Sequence, residues 1–248
     1  MSAVGRAIRM EATKALTLRS AQATALAAVV VPPVVAVVQA LAADPTAGAA
    51  GAVPVESLGF STAGLAQPLV ILAAVLLTGT EHVDGQLRST LLAVPRRGVV
   101  LAAKALVIAA LAAVVALVGT TAAVLLAHAV RGDGGLPVSG STAGMAGNLV
   151  GVVVNFVLIG LLAASVTVLT RSLVVPLVVL VPLVLGLTVS LVGLVPAVRY
   201  LPDLAGIQLL TAYPGVGLLE PVPGALVMLA WTGALGTAAT LSLLRRDA

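Results

Sequence analysis

Few side chains in these 248 residues could carry chemistry, and their placement excludes most of it. The two histidines, His82 and His128, fall in separate segments, and no His-Glu-x-x-His run joins them, so a paired-imidazole metal site is not expected. The chain has no cysteine, which removes thiolate nucleophiles, sulfur-ligated metals and disulfides. Ser165 and Ser190 lie in apolar stretches, outside any Gly-x-Ser-x-Gly turn and without a neighbouring histidine. Hydroxyls in such stretches usually bond their own backbone or a facing helix. Gly140-Ser141-Thr142-Ala143-Gly144 reads as a flexible connection. Lys14 and Lys104 do not follow a glycine in a Gly-Lys-Ser/Thr loop, so the chain has no phosphate cradle of its own and no cofactor is expected.

What remains is charge, and it is sparse. Charged residues make up 9% of the chain and hydrophobic ones 60%, whereas a soluble domain carries about 25% charged residues. A soluble protein of this make-up would expose large apolar patches. Lipid is the solvent that suits it, and an all-α polytopic membrane protein is the expected fold class. The net charge of +4 does not signal nucleic acid, because two Tyr, two Phe and one Trp supply no basic stripe interleaved with aromatics.

Six apolar runs approach the roughly 20 residues that cross a hydrocarbon core. They lie at 21–42, 60–80, 101–129, 145–169, 173–195 and 224–244, within a single transmembrane domain expected over 1–248. The third is long enough to tilt or project, and Pro176 and Pro182 interrupt the fifth. Arg6, Arg9, Lys14, Arg19, Arg88, Arg96, Arg97, Lys104, Arg171, Arg245 and Arg246 fall on one side of this alternation, and only Arg131 and Arg199 on the other. The positive-inside rule then puts both termini in the cytoplasm. Ala40-Leu41-Ala42 resembles a signal-peptide cleavage site, but the basic region before it is too long and the apolar run exceeds a typical signal core. The first span is expected to stay.

Two segments outside the spans carry information. In the leader, 1–20, Val4, Ile8, Ala12, Ala15 and Leu16 share one arc of a helical wheel. Arg6, Arg9, Thr13, Lys14 and Thr17 share the opposite arc, and Arg19 closes the segment. That pattern predicts an interfacial amphipathic helix, although Glu11 falls inside the apolar arc. Between spans two and three, Val83, Leu87, Leu91 and Val94 recur at spacings of four, four and three, giving a narrow apolar stripe on a short helix. Pro95 disfavours helix at Val94 and ends it. Glu81, Asp84, Arg88, Arg96 and Arg97 supply the charges, so the segment can hug lipid or enter a partner's groove.

Glu81, Gly85, Arg88, Thr90-Leu91, Pro95, Arg97 and Ala103-Lys104 resemble a signature of permease subunits of ABC-2-type transporters. Glu11, Thr13-Lys14 and Leu18-Arg19 are similar to that family's leader. The resemblance implies a bacterial plasma-membrane exporter subunit that dimerises with a second copy or a paralogue. It implies a separate ATP-binding cassette subunit as energy source, with 81–97 as coupling helix and the leader lying along the membrane. In that family the outer connection before the last span often folds into short re-entrant helices; here 196–223, with the apolar stretch Gly206–Tyr213, fits either such re-entry or a surface loop packed on the outer helix ends. The competing readings are a secondary carrier or channel, or a membrane assembly protein. A carrier usually needs ionisable groups inside its spans. Lys104 is expected to snorkel from a span end, and Gln67 and Asn155 are neutral, so an external energy source is favoured. A charge-poor interior suits a hydrophobic or amphipathic cargo.

Overall fold

The computed structural model of the chain describes residues 2–42, 55–83, 97–136, 142–211 and 217–245. Among them the regular structure is helical. The helices are α1 (Ala3–Thr17), α2 (Arg19–Ala42), α3 (Gln67–Val83), α4 (Arg97–Arg131), α5 (Ala143–Thr170), α6 (Val174–Pro182), α7 (Pro202–Ile207) and α8 (Pro221–Arg245). A run of 3-10 helix, Phe60–Ala66, leads into α3. Among the described residues five stretches are long and apolar enough to cross a membrane: Arg19–Ala42, Val55–Thr80, Gly98–Arg131, Ala143–Thr170 and Pro221–Arg245. At 35 residues, α4 is about 52 Å long and overruns a hydrocarbon core of about 30 Å.

The sizes of the side chains are sorted as lipid requires. Leu26, Val30, Val34 and Val38 of α2 point outward, whereas Ala21, Ala28, Ala36 and Ala40 face the bundle. Ala36 and Ala40 pack on Ala123 and Ala127 of α4. Lipid is as apolar as leucine, so burying large side chains gains little there. Small residues let two backbones approach and maximise dispersion contact. Pro32 and Pro33 are buried inside α2. Having no N–H, they leave the carbonyls of Ala28 and Val29 without their helical donors. Gly119 of α4 sits against those two oxygens, where a Cβ would lie 3.4 and 3.3 Å away.

The expected fifth span is not one long helix. Nine residues of α6 are followed by a π-helical turn, Leu183–Leu187. Pro182 cannot donate to the turn before it, and Gly186 has φ 100°, a left-handed conformation that stops an α-helix. Two short 3-10 segments follow, Val189–Leu191 and Pro196–Tyr200, and then α7. This stretch folds back alongside α8 rather than over its top. Gly206 lies against Met228, and the Trp231 indole N–H donates to the Tyr200 carbonyl at 2.8 Å. Trp231 is roughly 15 Å along α8 from Pro221 at 1.5 Å per residue. Pro202, Asp203, Leu204, Ala205 and Gly206 are all buried.

At the centre stands α5, which packs against α3, α4, α6 and α8. Val152, Phe156, Ile159, Leu162 and Ala163 are buried on it together with Asn155 and Thr167. Thr142 caps its start by accepting from the Met145 N–H at 3.2 Å, and Arg171 ends it in the left-handed conformation, with its N–H on the Thr167 carbonyl at 2.8 Å.

Candidate functional site at the leader end

The leader helix has three faces rather than two. Ser2 caps it, its hydroxyl accepting from the Gly5 N–H at 3.2 Å. Ala7 and Glu11, one turn apart, are buried. Ala7 and Ile8 pack on Val99, Val100 and Ala103 of α4, and Ala15 and Leu18 touch the main core. Val4 and Leu16 form an exposed apolar flank. Arg6, Arg9, Thr13 and Thr17 form an exposed polar one, and Arg19 is exposed where α2 begins. A helix with one face on protein, one apolar flank and one polar flank is suited to lie where lipid, water and bundle meet.

Glu11 in the apolar arc is therefore not a flaw in the pattern. It points at α4, where Lys104 Nζ meets its Oε2 at 2.8 Å. Glu11 is 3% exposed and Lys104 5%. Lys104 Nζ also donates to the Leu77 carbonyl at 3.3 Å, and Lys14 Nζ donates to the same oxygen at 2.6 Å. Two ammonium groups and one carboxylate thus bind α1 and α4 to the carbonyl of one residue on α3. This corrects two expectations. Lys104 does not snorkel away from the bundle, and Lys14 turns from the polar arc towards protein. Glu11 Oε1 has no hydrogen-bond partner among the described residues.

Leu77 lies one helical turn before Glu81. Glu81 and Val83 fall in the last turn of α3, and Arg97 opens α4. The rest of the expected coupling segment, with Leu87, Arg88, Leu91, Val94 and Arg96, lies outside the described residues. The structure brings Glu11 and Lys14 together with Lys104. It leaves Arg6, Arg9 and Arg19 on the outer side of the leader.

A second polar cluster ties the middle of the bundle. Gln67 Nε2, at the start of α3, donates to Asn155 Oδ1 at 2.8 Å, and Asn155 Nδ2 donates to the Gly206 carbonyl at 2.9 Å. All of this is buried. A Cβ on Gly206 would fall 2.6 Å from both Asn155 Nδ2 and Met228 Sδ, so only glycine lets the amide reach that carbonyl. In sequence, Gln67 and Asn155 read only as neutral residues in spans. Their distance from one another along the chain hid the contact.

A family model described as ABC-2 family transporter protein matches residues 7–192. The chain belongs to this family. The match takes in the leader from Ala7, the Glu11–Lys104 pair and the segment between α3 and α4, and ends before α7. The protein is therefore an ABC-2-type membrane permease, as its leader and its 81–104 signature suggested. No curated protein sequence matches the permease.

Proposed function

We propose that this permease is the membrane-spanning subunit of an ATP-driven exporter of a hydrophobic or amphipathic cargo. It pairs with a second copy or a paralogue, and a separate ATP-binding cassette subunit drives it from the leader end. The observation that carries this reading is the link among Glu11, Lys104, Lys14 and the Leu77 carbonyl. It joins three helices one turn from the segment that would receive the ATPase. A push on 81–97 reaches α3 and α4 directly, and the buried pair passes it to the leader.

Orientation follows from the same end of the molecule. Gly236, Ala239 and Thr240 near the end of α8 line a cleft together with Gly98, Leu101 and Lys104. The leader and the end of α8 therefore meet at one end of the bundle, which also holds Arg6, Arg9, Arg19, Arg97 and Arg171. That density of cations supports a cytoplasmic leader end. In this reading α6 and the turns after it make a fifth, interrupted crossing, and α7 is the re-entrant element before the sixth.

An ion-coupled carrier is less well supported. Lys104 is neutralised by Glu11, and His128 lies at the other end of α4, roughly 36 Å away along the helix. Among the described residues no ionisable chain joins them. The test is transport into inverted membrane vesicles, with the chain expressed alone or together with a candidate ATP-binding cassette subunit. Uptake of a fluorescent hydrophobic dye that requires both chains and ATP is expected. Uptake driven by an ion gradient through the chain alone would defeat the proposal.

A further inference from the structure

The connection between α6 and α8 holds a buried acid that plays no part in ATP coupling. Asp203 is the second residue of α7 and is 6% exposed. The Thr188 hydroxyl, itself buried, donates to its Oδ2. Its Oδ1 has no hydrogen-bond partner among the described residues. Thr188 directly follows the π-helical turn, so this bond closes the base of a loop on which Leu191, Leu194 and Val195 are exposed. The far end of α7 is held separately, by the Asn155 amide on the Gly206 carbonyl.

The neighbours of α7 offer the acid no cation. α8, α5, the turn Pro196–Tyr200 and the π-helical turn Leu183–Leu187 pack on α7. α8 bears no titratable side chain before Arg245, and α5 and Leu183–Leu187 bear none. Pro196–Tyr200 bears Arg199 and Tyr200, which engage each other. The guanidinium lies 5.0 Å from the ring centroid and donates to the Tyr200 hydroxyl at 3.3 Å. Glu220, just before α8, is exposed. A buried carboxylate without a cation is strongly disfavoured, and it escapes by keeping a proton or by reaching water. Burial accordingly pushes the Asp203 carboxyl above 3.8, although the Thr188 hydroxyl and the amides of Asp203 and Leu204 pull the other way.

We infer that Asp203 is a proton-operated latch on the connection between α6 and α8. With the carboxyl protonated, Asp203 and Thr188 stay buried together, and α7 stays docked on α5 and α8. When the proton leaves to bulk water, the carboxylate turns out to solvent and the start of α7 undocks, pivoting on the Asn155 bond to Gly206. With six residues, α7 can undock without unfolding a span. The spans it rests on, α5 and α8, offer no ionisable relay towards the leader end, so the proton regulates rather than drives. This goes beyond ATP coupling, and its test needs the chain alone.

The test is hydrogen exchange of the detergent-solubilised full chain, read by mass spectrometry from about pH 4.5 to about pH 8, with labelling times scaled to the intrinsic rate at each pH. The Ala205 N–H, which donates to the Leu201 carbonyl at 2.8 Å, reports on the start of α7. After that scaling, wild-type peptides covering 201–206 should exchange at least about tenfold faster at the high end than at the low end, while α5 peptides stay unchanged. Asp203→Asn keeps an oxygen for the Thr188 hydroxyl and cannot ionise, so it should stay slow throughout. Glu220→Gln removes an exposed neighbouring carboxyl and should keep the wild-type step. A flat wild-type profile, or the same step in Asp203→Asn, would overturn the inference. Should Asp203→Asn fail to fold, Glu220→Gln decides. A step that survives it supports Asp203, and a step lost with it moves the switch to Glu220 and refutes the latch.

Discussion

Replacing Lys104 by methionine keeps most of the side chain's length and removes its charge from a pair that the bundle has buried. Glu11 would then lose its 2.8 Å partner in a site where it is 3% exposed. Removing one member of a buried ion pair costs about 3–5 kcal/mol, because the other charge stays desolvated. For a domain of this size that corresponds to a fall in melting temperature of roughly 6–20 °C. The double variant Glu11→Leu/Lys104→Met removes both charges, and apolar replacement of a whole buried pair is often neutral or stabilising. Melting near wild type is therefore expected for the double variant, well above either single one. The assay is thermal unfolding of the four proteins in one detergent, read as a double-mutant cycle. ATP-driven transport should stay impaired in the double variant, because its leader keeps the Lys14 bond to α3 but is no longer polar-linked to α4. Single variants that melt within about 1 °C of wild type would show that water screens the pair as at an open surface, and the reasoning would fail.

Other consequences follow from the packing and the outer connection. Gly119→Leu pushes a side chain into the Ala28 and Val29 carbonyls, and overpacking of about 1–3 kcal/mol should appear as a lower melting temperature. Asn155→Leu strands Gln67 Nε2, whereas the Gly206 carbonyl keeps the Leu209 N–H as a donor. It should cost about 1–3 kcal/mol for the buried amide left unpaired, seen in the same melts. Asp203, in the connection between α6 and α8, accepts from the Thr188 hydroxyl, and burial pushes its carboxyl above the ordinary 3.8. A raised folded pKa means that the native state holds its proton longer than the unfolded chain does. The contribution is then complete below 3.8 and declines as pH rises through the folded value. Melting curves taken against pH should show this decline in wild type and lack it in Asp203→Asn. In the segment between α3 and α4, Leu87→Asp with Leu91→Asp should release the ATPase, at about 2 kcal/mol or roughly thirtyfold in affinity for a lost interface anchor, while the protein melts like wild type.

Spans were legible in the sequence wherever a helix is long and apolar. The stretches expected at 21–42, 101–129, 145–169 and 224–244 each lie within a helix of the bundle. The stretch at 173–195 is equally apolar, and hydropathy cannot distinguish a crossing helix from an interrupted one. The signal was in Pro182 and Gly186, which decide where the helical hydrogen bonds stop. Glu11 shows the limit of a helical wheel. A wheel records that an acid falls in an apolar arc but not that a lysine 93 positions away will face it. Lys104 was misread for the same reason, since snorkelling is only the default for a lysine with no partner. The contacts of Gln67 and Asn155 exist only once distant helices are side by side.

In the proposed transporter a separate ATPase docks on the segment between α3 and α4, at the leader end. The chain contains no cysteine, so one introduced at Leu91 or at Ala143 is a unique reporter. The decisive measurement is cross-linking of Leu91→Cys and Ala143→Cys, with a short maleimide reagent, to the co-expressed ATP-binding cassette subunit. A cross-link from position 91 and none from position 143 is predicted. A cross-link from 143 with none from 91 would place the ATPase at the wrong end and contradict the account.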